Sequence, residues 1–243
     1  MRRPGARCRP PRPGRRPPPP RRRQRPPPSV PEGSADWLLR LVEGAAVLAF
    51  ALSGVIEATR RRMDVVGICS VAFVTAFGGG TLRDVLLDKR PFFWVAHWGW
   101  VWVVLVLSAG VALWWRSGHA HFTARAIRLP DALGLGLFGA VGTSQAAALD
   151  MPAVVSALMG VVTAVFGGVL RDILCNEIPA VFRDHRPYAV CAFAGAWVWL
   201  AADALAAPAP LALALAAATA SGLRLVALAR GWQVPGWRSD ESV

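Results

Sequence analysis

Charged side chains are scarce in this 243-residue chain, 17% against 54% apolar, a balance too poor in charge to keep a soluble domain wetted. Lipid is the expected solvent for most of it. Cysteine is equally sparse: Cys8, Cys69, Cys175 and Cys191 stand far apart, with no CxxC pair and no histidine at ligand spacing. That spacing argues against a zinc site or a disulfide framework, and Cys69, Cys175 and Cys191 read as small buried residues. No Walker A, HExxH or GxSxG pattern occurs, and His97, His119, His121 and His185 fall in or beside expected loops. No enzymatic chemistry, no metal and no cofactor is expected.

The net charge of +12 suggests nucleic acid until it is located. Eleven of the 27 basic residues are arginines between Arg2 and Arg25, a stretch without an acid, and +12 less these 11 leaves +1. The remainder has no basic surface to steer DNA or RNA. Because 11 prolines are interleaved with those arginines, residues 1–29 cannot bury a core and are expected to be disordered. One reading of this tail is a polybasic segment drawn to anionic lipid. The other, favoured by the abrupt change of composition, is an untranslated extension with the native start near Val30.

What the chain has in quantity is long apolar runs. Crossing about 30 Å of hydrocarbon takes about 20 mostly apolar residues, and seven stretches qualify: 38–58, 65–87, 92–115, 133–149, 153–175, 188–207 and 211–229. The expected fold is an all-α membrane bundle of seven helices joined by short loops. Arg40, Glu43 and Glu57 near the ends of the first run, and Arg224 in the seventh, are expected to snorkel toward water. Trp37, Trp94, Trp98, Trp114, Trp115, Trp232 and Trp237 lie near run ends, where an indole rests at headgroup level.

Loop arginines set the expected orientation. One side carries Arg60, Arg61, Arg62, Arg116, Arg125, Arg128, Arg183, Arg186, Arg230 and Arg238; the other carries Lys89 and Arg90. The basic side faces the cytoplasm, so residues 230–243 form a cytoplasmic tail of a multi-pass inner-membrane protein. The same count puts the N-terminus outside, where an arginine-rich tail resists translocation.

A shift of 88 residues superposes 50–91 on 138–179 without a gap, with 15 identities in 42 positions. Thr75, Ala76, Gly79, Gly80, Leu82, Arg83, Asp84, Leu86 and Pro91 recur as Thr163, Ala164, Gly167, Gly168, Leu170, Arg171, Asp172, Leu174 and Pro179. The expected organisation is a three-helix unit at 38–115, a second at 131–207 and a seventh helix at 211–229. An odd number of crossings inverts the second unit in the membrane, an arrangement common in transport proteins.

Consecutive glycines at Gly78, Gly79 and Gly80, and at Gly167 and Gly168, are expected to break the second and fifth helices, freeing polar backbone that only protein or a watery path can satisfy. They mark a candidate solute path near the midplane. The competing reading is close helix packing through small residues. Thr75 and Thr163, one turn earlier, either offer hydroxyls to the path or bond their own i−4 carbonyls. Arg83 with Asp84, and Arg171 with Asp172, are either structural ion pairs, each member paired with a different helix, or charged vestibules. Asp64, Glu57 and Gln145 read as caps or solvated ends.

The segments SGVIEATRRRMDVVG, TAFGGGTLRDVLL, DALGLGLFGAVG and TAVFGGVLRDILCNEIP resemble bacterial members of the trimeric intracellular cation (TRIC) channel family, whose repeated domain also bears the label glycine transporter. The resemblance covers roughly 38–229. It implies a homotrimer with a separate pore in each seven-helix protomer, formed by the glycine-bent second and fifth helices, and conduction of monovalent cations such as potassium. In one departure, Phe166 stands before Gly167 and Gly168 where the family often has a third glycine, placing an aromatic beside the path. The alternatives are a secondary carrier of glycine or another small neutral amino acid, favoured by helix ends whose dipoles bind a zwitterion, and a non-transporting scaffold, which leaves the repeated glycines unexplained.

Overall fold

The computed structural model describes residues 34–116, 123, 125–183 and 187–233. The arginine-rich tail at 1–29 and the last ten residues lie outside that range, and so do the expectations made for them. The described residues are helical, without a strand. In order they form α1 (Ser34–Arg60), α2 (Val65–Leu86), α3 (Phe93–Ala96), α4 (Gly99–Arg116), α5 (Arg128–Ala147), α6 (Ala153–Leu174), α7 (Ala180–Arg183), α8 (Ala189–Ala204) and α9 (Ala209–Arg230).

Local chemistry sets the boundaries. Asp64 caps α2 by accepting from the Gly67 N–H at 2.7 Å, so the capping reading of this carboxylate holds. Pro208 precedes α9, and Gly231 ends it in the left-handed region at φ 65°. Arg62 and Asp150, and likewise Asp88 and Asn176, take φ between 50° and 56°. Each of these pairs is separated by 88 residues, so the repeat is written into the turns as well as the helices. Aspartate and asparagine tolerate that conformation; Arg62 bears its strain without such help.

α1, α2, α6 and α9 are long and apolar enough to cross a membrane, and Gly99–Trp114 and Ala189–Ala204 are shorter apolar helices. α5, with Arg128, Asp131 and glycines at 134, 136, 139 and 142, is not among them. The continuous helix expected at 92–115 is instead α3 and α4, separated at His97. The chain leaves the helical region at His97, with φ −119° and ψ 53°, while the start of α3 is fixed by the Asp84 carboxylate, which accepts the Phe93 N–H.

A second correction concerns the glycines. α2 and α6 run through Gly78–Gly80 and Gly167–Gly168 as unbroken helix. Missing side chains serve here to let two helices touch, not to interrupt either. α5 packs against α1, α6, α8 and α9, while α2 packs against α1, α4 and α6. Phe50 of α1 and Phe138 of α5 stack between them, ring centroids 5.4 Å apart. Trp98 and Trp114 are exposed at 68% and 57%, whereas Trp94, expected at headgroup level, turns inward to Phe73 and donates to Thr81.

Candidate functional site

α2 and α6 cross at their threonine-glycine segments. A Cβ built on Gly79 would lie 2.2 Å from the Thr163 carbonyl oxygen, and one on Gly167 would lie 2.5 Å from that of Thr75. The contact is reciprocal under the 88-residue shift, and only glycine fits it. A Cβ on Gly78 would lie 2.6 Å from Leu170 Cδ1, and Phe166, at the equivalent place, is half-buried. Thr75 and Thr163 are fully buried and donate to Val71 and Met159 at 2.6 Å, the i−4 bond, leaving only oxygen lone pairs to offer elsewhere.

Gly80 and Gly168 occupy a different face. A Cβ on Gly80 meets only the Arg83 guanidinium, at 3.8 Å, whereas one on Gly168 meets the Tyr188 hydroxyl at 3.0 Å. The two halves of each glycine pair thus have separate tasks: one touches the neighbouring helix, the other covers an arginine.

Those arginines sit in two carboxylate clusters. Arg83, fully buried, donates through Nε and Nη2 to Asp84 Oδ1 at 2.9 and 2.8 Å, and Nη2 pairs with Glu43 Oε1 at 2.7 Å. The second Asp84 oxygen accepts the Phe93 N–H at 2.8 Å. Arg171 repeats this with Asp172 at 2.9 and 2.8 Å and with Asp131 at 2.7 Å, while Asp172 accepts the Ala180 N–H at 2.8 Å. Arg171 also donates Nη1 to Ser53 Oγ, and Tyr188 donates its hydroxyl to Asp131 at 3.2 Å.

Arg83 and Asp84, expected to pair with different helices, do so through Glu43 of α1 and the Phe93 N–H of α3, as Arg171 and Asp172 do through Asp131 of α5 and the Ala180 N–H of α7. In addition each arginine binds its neighbouring aspartate, because the long side chain folds back where adjacent Cβ directions diverge. Glu43, expected to snorkel, is 4% exposed and belongs to the Arg83 cluster. Arg224, given the same expectation, is also 4% exposed; it donates to the Pro187 carbonyl at 3.2 Å and lies over the Tyr188 ring. Sequence reasoning missed Glu43 and Asp131 as site residues although they are 88 apart and would have extended the repeat. Ser53 and Tyr188 carry no such signal, since neither recurs.

One cavity adjoins the C-terminal end of α2 and another that of α6. One, about 660 Å³, lies where α1 begins and α2 and α5 end, with Glu43, Lys89, Arg90, His97 and Gln145 on its walls. The other, about 260 Å³, lies at the opposite ends of α1 and α5, with Glu57, Arg61, Asp131, Arg171, Asp172 and Glu177 among its walls. Lys89 bonds Gln145 at 3.1 Å in the first. In the second, the equivalent positions are the two acids Glu177 and Glu57, and Arg61 bridges them, 3.1 Å from Glu57. Hydrogen bonds to Glu177 first and Glu57 second raise the Arg61 pKa above its ordinary value. Among the described residues no group of histidine, cysteine and acid side chains could hold a metal ion.

The UPF0126 membrane protein of Vibrio cholerae is 34% identical over 167 residues, 65% of this chain and 66% of that protein. The UPF0126 inner membrane protein YadS of Escherichia coli (strain K12) is 36% identical over 154 residues, 63% of this chain and 73% of that one. Among solved structures, the TRIC trimeric intracellular cation channel orthologue from Rhodobacter sphaeroides matches with a TM-score of 0.74 at 34% identity, covering 80% of this chain and 98% of that one. A TRIC cation channel whose structure addresses conductance matches with the same TM-score at 30% identity, over 84% and 98%. The family model described as glycine transporter matches twice, at residues 40–116 and 128–204. Since those two segments span more than half of its length, the chain belongs to the glycine transporter family.

Proposed function

We propose that this protein is a monovalent cation channel of the bacterial inner membrane, conducting potassium through a path inside each protomer. The observation that carries the reading is the α2–α6 pair, with a cavity by the C-terminal end of each helix and one buried arginine set against two carboxylates on each side. Each cluster holds a surplus of one negative charge when its carboxylates are ionised, and a low-dielectric setting makes that surplus felt by a passing cation. Gly78, Gly79, Gly80, Phe166, Gly167, Gly168, Thr75 and Thr163 line or shape this path. Arg83, Asp84, Arg171 and Asp172 hold it in form and charge its two ends.

The resemblance to trimeric cation channels supports a homotrimer. The 88-residue shift supports two inverted three-helix units, at 38–115 and 131–207, with α9 as a seventh span. The loop arginines support a cytoplasmic C-terminus. A carrier of glycine or another small neutral amino acid was favoured by exposed helix ends at the glycines; with α2 and α6 unbroken, those dipole ends are absent at that point, and the channel reading takes precedence. The deciding experiment places purified protein in liposomes and compares potassium current at constant voltage with counterflow of radiolabelled glycine. Current without a transported partner establishes a channel. Counterflow without current establishes a carrier and overturns the proposal.

A further inference from the structure

The two arginine clusters are equivalent in sequence but unequal in bonding. All three Arg171 nitrogens are engaged, by Asp172, Asp131 and Ser53. In the other cluster the buried Arg83 leaves Nη1 without a hydrogen-bond partner, and Glu43 Oε1, although 2.7 Å from Nη2, is without one too. Two differences produce this: Asp131 bonds Arg171 Nη1 whereas Glu43 pairs with Arg83 Nη2, and the 88-residue shift carries Ser53 onto Val141, which is fully buried and has no hydroxyl to give. It also carries Tyr188, whose hydroxyl meets Gly168 and Asp131, onto Trp100, which packs on Gly44 instead. Beside Gly80 a Cβ would therefore touch nothing except the guanidinium itself.

A buried donor without a partner costs most when the group is charged, because its hydration has been surrendered for nothing. The cost is recovered if the side chain reaches water. Glu43, the second partner of Arg83, already stands in the wall of the larger cavity. We infer that the Arg83 cluster is a gate: Arg83 swings together with Glu43 into the cavity that Glu43 already lines, while the Arg171 cluster stays shut as the fixed point against which it moves. This deepens the transport reading and rests on it. A buried, fully bonded arginine has no equivalent incentive to move, so the two ends of the path differ in which one opens.

The test restores the missing partner. Val141→Thr keeps the valine shape and adds one hydroxyl where the repeat puts Ser53, and Val141→Ser does so in a smaller side chain. Two measurements are made on the purified full chain: the melting temperature, and in liposomes whichever flux the unaltered protein shows, potassium current or glycine counterflow. The expected result is a rise in melting temperature of about 2–4 °C for at least one variant, together with reduced flux. Ser53→Val, which strips a partner from Arg171, should lower the melting temperature. Flux unchanged in a variant whose melting temperature has risen overturns the gate, and so does the absence of any rise in both Val141 variants. The melting arm needs no transport. An unaltered protein that passes glycine and no potassium therefore counts against the cation reading and leaves the gate to be judged on glycine flux; one that passes neither overturns the gate along with transport.

Discussion

Gly79 lies so close to the carbonyl oxygen of Thr163 that a single added methyl group would stand 2.2 Å from it. Neither backbone can yield without separating α2 from α6. Gly79→Ala and Gly167→Ala are accordingly expected to destabilise the protein by about 1–3 kcal/mol each, read as a lower melting temperature of the purified protein. Gly80→Ala, whose methyl has space, should melt as the unaltered protein does. Equal melting of all three would remove the packing role assigned to the crossing.

Size at Gly80 tests the path. Gly80→Leu is expected to suppress flux in liposomes while yield and oligomeric state stay near normal, because the added bulk fills the space over Arg83 and not the helix contact. Gly168→Leu should suppress flux and also reduce yield, since its side chain would start 3.0 Å from the Tyr188 hydroxyl. Normal flux in both variants would return these glycines to packing alone.

Removing one member of a buried ion cluster leaves the others charged and unpaired. Arg83→Ala and Arg171→Ala should each cost about 3–5 kcal/mol, seen as loss of yield and early unfolding. The pair Arg83→Met with Glu43→Leu should cost less than the two single changes added together, and strict additivity would deny the coupling implied by their 2.7 Å contact.

At the surface the stakes are smaller. Arg61 is 38% exposed where it bridges Glu177 and Glu57. Glu177→Gln should therefore change stability by about 0.2–1 kcal/mol at most, and less at high salt. A loss that does not shrink when salt is raised would mean the contact is better shielded than its exposure indicates.

Orientation is accessible to a reporter active only in the cytoplasm. Fused after Val243 it should be active, and inserted after Asp88 it should be silent. The reverse pattern would invert the assignment drawn from the loop arginines.

Much of this molecule was legible because two signals add without tertiary help. Apolar run length located α1, α2, α6 and α9 within a few residues, and the 88-residue recurrence picked out Arg83 and Arg171. What stayed hidden depends on partners distant in sequence. The glycines, expected as breaks, show their packing role only with Thr163 and Thr75 opposite them, and the break between α3 and α4 at His97 falls inside a run of apolar length. Glu43 looked like a snorkelling end because nothing local reveals that Arg83 folds back to meet it.

Phe50 and Phe138 are the same residue of the repeat, and they stack on each other. A side chain meets its own counterpart only across a two-fold axis, as at the contact between identical subunits of a dimer. The α1–α5 interface therefore sets matching positions of the repeat face to face. Matching positions elsewhere are not alike: Ser53 corresponds to Val141 and Tyr188 to Trp100, so the two ends of the molecule are chemically unequal.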